Sequence, residues 1–263
     1  MPAHSAEAAP SSVTASAASW HPAWEEVAAV LVLGAAYTAA ARRHPPAFRA
    51  ALFAAALVLL LAVSVTPLAT IALEYLLAAH LLQNVVMAEW APALAVGGLS
   101  AGMAAALARV RLLRIATNPF VALLSWLTVY GAWHVPAVYD YALRHELVLH
   151  IEHATYFATG TLLWWPVLRD EPHHLSAGAK SVYLFAAFVL ASPIGLLLAL
   201  VPEPVYDYYI EAPRLWGLTP LEDQQIAGVL MTVSEAIVFF TVFAVFFVRF
   251  MAEEEAGYSQ PRA

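Results

Sequence analysis

Apolar residues in this chain fall in seven long runs separated by short polar stretches, and charged residues are nearly absent from the middle of each run. Crossing the hydrocarbon core of a bilayer takes a helix of about 20 mostly apolar residues, and these runs have that character. The pattern predicts an all-α, polytopic membrane protein with seven transmembrane helices at about 24–41, 50–65, 71–96, 119–134, 147–168, 181–201 and 225–248. The stretch 101–114 is too short and too basic to span, and is expected as an interfacial helix. Pro166 and Pro193 are expected to bend their helices. Thr219-Pro220-Leu221-Glu222 combines an N-cap, a proline at the first helical position and a capping-box glutamate, so a helix should start there.

Residues 1–23, rich in Ala, Ser and Pro, show neither the basic nor the apolar region of a signal peptide and read as a loose outer tail. The first span is then expected to direct insertion. The chain divides into this tail, a transmembrane domain at 24–250 and a cytoplasmic tail at 251–263. Orientation follows from the basic residues. Arg42, Arg43, Arg49, Arg109, Arg111, Arg114, Arg169, Lys180, Arg249 and Arg262 fall on one side of the seven spans, against Arg144 and Arg214 on the other. That bias predicts an outer N-terminus and a cytoplasmic C-terminus.

Composition narrows the chemistry. The chain is 62% hydrophobic and 12% charged, which fits a lipid-bilayer environment. Its net charge of -7 comes from loop and tail carboxylates, and no basic stripe suggests nucleic acid. With no cysteine, thiolate metal sites and dithiol redox chemistry are excluded. No glycine-rich phosphate loop is present. The only lysine is Lys180, so the last helix has no residue for a retinal Schiff base. Nothing in the sequence signals an oligomeric state.

The stretch from His134 to Trp165 holds four of the ten histidines, His134, His145, His150 and His153, inside or beside an apolar run. Ionisable groups placed there are costly and usually functional. On a helix, His150 and His153 lie about 60° apart and roughly 4.5 Å along the axis, so they share a face. Glu146 joins that face as a candidate orienting partner, and Glu152 points elsewhere. Two imidazoles on one face can share a copper, zinc, iron or nickel ion. In the third run, His80, Gln83, Asn84 and Met87 share a face, with Glu89 opposite. An imidazole and a thioether in one column suit Cu(I), but the same face would serve equally for hydrogen bonds between helices. In the last run, Gln224, Gly228, Met231 and Glu235 share a face. Glu235 lies deep in the membrane and needs a partner, while Asp223 reads as an outer helix-start carboxylate. His44, His173 and His174 read as solvated loop residues.

An ordered set of short motifs resembles the multi-span CtaG family of cytochrome c oxidase assembly factors. The pieces are His80-Leu81-Leu82-Gln83 followed by Ala91-Pro92; Trp133-His134-Val135-Pro136 with Tyr139; His150-Ile151-Glu152-His153; Trp165-Pro166; and Asp223-Gln224-Gln225-Ile226-Ala227-Gly228 with Met231. They run from about residue 30 to 250. The resemblance implies a seven-helix protein of the bacterial cytoplasmic membrane that helps assemble a haem-copper oxidase, at copper delivery to an oxidase subunit. One departure stands out: the family's helix-3 motif reads like H-x-x-Q-H, and here Asn84 takes the place of the second histidine. The expected copper ligands are His80, His150 and His153, with Met87 and His134 as second-tier candidates. Two alternatives stand beside this one: a haem protein with His80 and one of the paired histidines as axial ligands, and a metal-free assembly scaffold.

Overall fold

Prolines and short polar side chains punctuate the chain and decide where helices begin. A computed structural model describes residues 16–41 and 46–259, and these form helices with no strand among them. Arg42, Arg43, His44, Arg262 and most of the proposed outer tail lie outside the described residues. The helices are α1 (Trp24–Ala40), α2 (Ala47–Val65), α3 (Pro67–Glu74), α4 (Leu77–Val85), a π-helical turn (Val86–Trp90), α5 (Ala91–Gly98), α6 (Ala101–Ala108) and α7 (Arg111–Ala116). They continue as α8 (Pro119–Trp133), α9 (Pro136–Leu143), α10 (Glu146–Leu168), α11 (Ala177–Leu200), α12 (Asp207–Glu211) and α13 (Pro220–Ser259). Proline stands at or next to the first position of α3, α8 and α9, where its missing N–H costs nothing. The side chains of Thr66, Ser100, Asn118 and Ser176 cap the helices that follow them. The capping box expected at Thr219 is present, with Thr219 N donating to Glu222 Oε2 at 2.8 Å and Glu222 N to Thr219 Oγ1 at 3.2 Å.

By length and apolarity α2, α11 and α13 each suffice to cross a membrane. Two bent pairs raise this to five if each is one span: 77–98 with α6, bent by 107°, and α8 with α9, bent by 74°. The other two expected spans are less marked. α1 has only 17 residues, and α10 carries Glu146, His150, Glu152 and His153 along its first half. The run 71–96 is also not one helix. It breaks at Tyr75 and Leu76, so the rod that carries His80 starts at Leu77, and the π-turn joins α4 and α5 into that rod. The stretch 101–114 forms two short helices instead of one. Pro166 and Pro193 lie within unbroken helices.

Packing follows small residues and aromatic rings. α11 and α13 make the most extensive helix pair, and they approach closely at Gly195 and Gly228. A Cβ on Gly228 would stand 2.5 Å from both Ala199 N and the Gly195 carbonyl oxygen. Deeper, the ring of Phe239 lies 5.3 Å from Trp164 and 5.9 Å from Trp126, tying α13 to α10 and α8. The two ends of the bundle differ in chemistry. At the C-terminal end of the rod, Arg49 donates to Leu99 O at 2.8 Å and Arg169 to Val96 O at 3.0 Å and Gly97 O at 2.8 Å, where unpaired carbonyls favour cations. At the other end, Arg144 meets Glu211 at 2.8 Å and Arg214 donates to Tyr209 O at 2.5 Å.

The α11–α13 crossing gives a direct test. Gly228→Val should overpack it, costing about 1–3 kcal/mol. In detergent this should appear as a lower unfolding temperature, whereas Val229→Ala on the exposed face should leave the transition unchanged.

Candidate functional site

The site begins with a carboxylate that starts someone else's helix. Asp223, in the first turn of α13 and 1% exposed, accepts from Leu77 N at 2.7 Å through Oδ2 and from Ala78 N at 3.0 Å through Oδ1. Both backbone groups are at the buried start of α4, so without Asp223 they would have no partner and no water. The reading of Asp223 as an outer-surface carboxylate for its own helix is therefore corrected: it serves a different helix, in the interior. His80 follows one turn later.

His80 is fully buried. Its Nδ1 lies 2.9 Å from the Tyr209 hydroxyl and 3.1 Å from that of Tyr139. Tyr209 sits in the loop helix α12, where burial pushes its phenol well above the ordinary range, and it donates its proton to Ala72 O at 2.6 Å. The closer contact is then favourable only if His80 Nδ1 carries the hydrogen. This assigns Nε2 as the bare nitrogen, and Nε2 has no hydrogen-bond partner. His134 repeats the arrangement. Its Nδ1 lies 2.7 Å from Tyr130 O, which only accepts, so Nδ1 donates and the unpartnered Nε2 keeps its lone pair. Metal-binding imidazoles are commonly held this way, with the far nitrogen donating to a carbonyl or other oxygen. Both rings pack against Tyr139, at centroid distances of 5.3 and 6.4 Å.

His153 joins them from α10, its ring edge-on to His80 at 6.2 Å, 7% exposed and with neither nitrogen hydrogen-bonded. His150, one turn outward, is partly exposed. Its Nε2 lies 3.3 Å from Glu26 Oε1, and His153 Nδ1 lies 3.8 Å from the same oxygen. Glu26 on α1 thus holds the position expected for Glu146, which is exposed at the margin of a neighbouring cavity of about 340 Å³. Both paired histidines and Glu26 line a second cavity of about 460 Å³, and the buried Met87 forms part of its wall. The structure therefore brings His80, His134 and His153 around Tyr139 and its neighbours, and places His150 and Met87 at the cavity beside His153.

A family model described as cytochrome c oxidase caa3 assembly factor matches residues 29–253. The chain belongs to that family. No curated protein and no solved structure matches it.

Several other buried polar residues of this caa3 assembly factor have hydrogen-bond partners, while the indole N–H groups of Trp126 and Trp164 and the Tyr156 hydroxyl have none. Glu152 is buried, and its Oε1 accepts from Asn84 Nδ2 at 2.9 Å. The amide at the departed motif position thus pairs with a carboxyl, which an imidazole at that position would meet through different geometry. Gln83 donates to Val63 O at 2.9 Å. Gln224 fixes the loop before α12 by accepting from Val205 N at 2.7 Å and donating to Glu203 O at 3.2 Å. Glu235 accepts from the Tyr130 hydroxyl through Oε1 and faces Glu89. Glu89 lies on the π-turn, a distortion often found at functional positions, and that turn is pressed against Gly160, where any Cβ would collide with Ala88 O. Sequence reasoning missed Glu26 and the capping role of Asp223. The available signal for the first was Glu25-Glu26 at the head of an apolar run.

Asp223→Ala should strip two buried N–H groups of their acceptor at roughly 1–3 kcal/mol each, lowering the unfolding temperature in detergent well beyond Asp223→Asn, which keeps one acceptor oxygen. Equal losses in the two variants would contradict the capping role.

Proposed function

We propose that this protein delivers copper to a cytochrome c oxidase subunit from the outer side of a bacterial cytoplasmic membrane. Family membership supplies the oxidase context. The observation that supports the copper assignment is the gathering of imidazole nitrogens without hydrogen bonds on His80, His134 and His153 in one buried region, with the His80 and His153 rings 6.2 Å apart. Leaving such atoms unmatched is costly, and native structures rarely do so without a reason.

The donor set fits the cargo. Imidazole nitrogens and the Met87 thioether suit copper, and the chain offers no thiolate to compete. The tyrosine and carbonyl contacts hold the His80 and His134 rings in the tautomer that presents Nε2. The wall of the cavity beside His153 is mostly apolar, with Val30, Leu33, Leu60 and Phe157 among its residues, which limits water at the buried nitrogens. Among the described residues the inner nitrogens do not already converge to binding distance. Holding an ion for transfer is consistent with that, since a closed, fully formed cage releases its ion slowly. In this reading α1 and α10 also cross the bilayer, giving seven spans, with the Arg49 and Arg169 end cytoplasmic and the histidine end outside. The role is that of a non-enzymatic carrier.

Anaerobic Cu(I) loading of detergent-purified protein, followed by desalting and metal analysis, checks this. Wild type should retain about one equivalent, and the His150→Ala/His153→Ala double variant should lose it and fail to support oxidase maturation in cells. A double variant that keeps wild-type copper and supports maturation would end the proposal, and a Soret band in the purified protein would favour haem.

A further inference from the structure

We infer that Glu26, with Glu25 and His150, forms a binding site for a divalent first-row metal ion at the rim of the cavity, separate from the buried imidazoles. The inference deepens the copper-delivery reading and rests on it for its purpose, though not for its geometry. One ligand atom from each of these three residues lies within 4.8 Å of the others, the only such group of three among the described residues. Two adjacent glutamates in the first turn of a helix would ordinarily be solvated residues favoured by the helix dipole. Here a second observation separates them from that case. His153 is 93% buried, has no hydrogen bond to either nitrogen, and faces the Glu26 carboxylate across 3.8 Å in the same cavity.

Two features define the class of ion. The ligands combine hard carboxylate oxygen with borderline imidazole nitrogen, which suits divalent ions and suits Cu(I) poorly. Among divalent first-row ions the affinity order for such ligands peaks at Cu(II). The two elements that meet here, α1 and α10, are joined across their outer ends by no other ion pair among the described residues that involves His150 or His153. A bound cation would therefore also draw α1 onto α10. Softer donors, the imidazoles and the Met87 thioether, lie further in, so the character of the ligands changes from the rim to the interior.

The test is titration of the full-length, detergent-purified protein with Cu(II) in air, followed by calorimetry and electron paramagnetic resonance, with Glu26→Gln, Glu25→Gln and His150→Ala alongside. Wild type should bind one equivalent with hyperfine coupling from imidazole nitrogen. Glu26→Gln, nearly isosteric, should weaken binding by about tenfold or more, and the exposed Glu25→Gln should weaken it without affecting the fold. Unchanged Cu(II) affinity in both glutamine variants, or no binding by wild type, would overturn the rim site. Cu(I) loading of the same samples separates the two ideas. Cu(I) retained by wild type while Cu(II) binding ignores Glu26 would sink the rim site alone. Glu26-dependent Cu(II) binding without any Cu(I) retention would sink the delivery reading and keep the rim site.

Discussion

A chain that must satisfy its backbone without water has few ways to start a helix in its interior, and the Asp223 carboxylate is the one used here. The chain breaks after α3 at Tyr75 and Leu76, and the new helix begins with N–H groups that neither lipid nor the preceding turn can satisfy. Asp223 takes two of them, at 2.7 and 3.0 Å, from 146 and 145 residues away in sequence. That pairing fixes the rise and rotation of α4 against α13, and with it the position of His80. Tyr209 and Tyr139 then lock the ring, and Gln224, one residue after the capping carboxylate, holds the loop that supplies Tyr209. The fold and the site are thus held by the same contacts.

What distinguishes the imidazole cluster is that three buried rings from different parts of the chain lie together, in an interior where Trp126, Tyr156 and Trp164 also leave polar atoms without hydrogen bonds. Arg49, Arg169, Gln83, Gln224 and Asn84 all find acceptors, several of them backbone carbonyls on neighbouring helices. Nε2 of His80, Nε2 of His134 and both nitrogens of His153 are without hydrogen-bond partners, and His153 Nδ1 faces Glu26 Oε1 at 3.8 Å. Each is buried, and none is at the protein surface where solvent would compensate. In the proposed delivery account a cation draws on these nitrogens, which do not stand within binding distance of one another beforehand. The π-turn at Val86–Trp90 lies directly below, placing Met87 at the cavity wall and Glu89 toward Glu235.

The helical class and its membrane character were readable from the apolar runs, because burial in lipid imposes a length and a composition that show in one dimension. The start of α13 was readable too, since a capping box is local. The histidines were singled out by their cost in an apolar run, and the structure brings His80 and His153 side by side although they come from helices far apart in sequence. The carboxylates were harder. Glu26 meets His150 across the cavity that α1 and α10 share, and nothing in the spacing of Glu25-Glu26 says which helix they will face. Asp223 and Glu152 have the same difficulty: a carboxylate at a helix end reads as solvated, and one on the far side of a two-faced helix reads as turned away, until tertiary packing supplies the N–H groups or the amide it meets. The break at Tyr75 was hidden for a related reason, because an interior cap from another helix leaves no local signature.

The most direct test of the account is copper K-edge X-ray absorption on the Cu(I)-loaded, detergent-purified protein. The account predicts nitrogen scatterers with the outer-shell features of imidazole, reduced in the His80→Ala variant. A first shell of oxygen alone, or a spectrum that His80→Ala leaves unchanged, would contradict it.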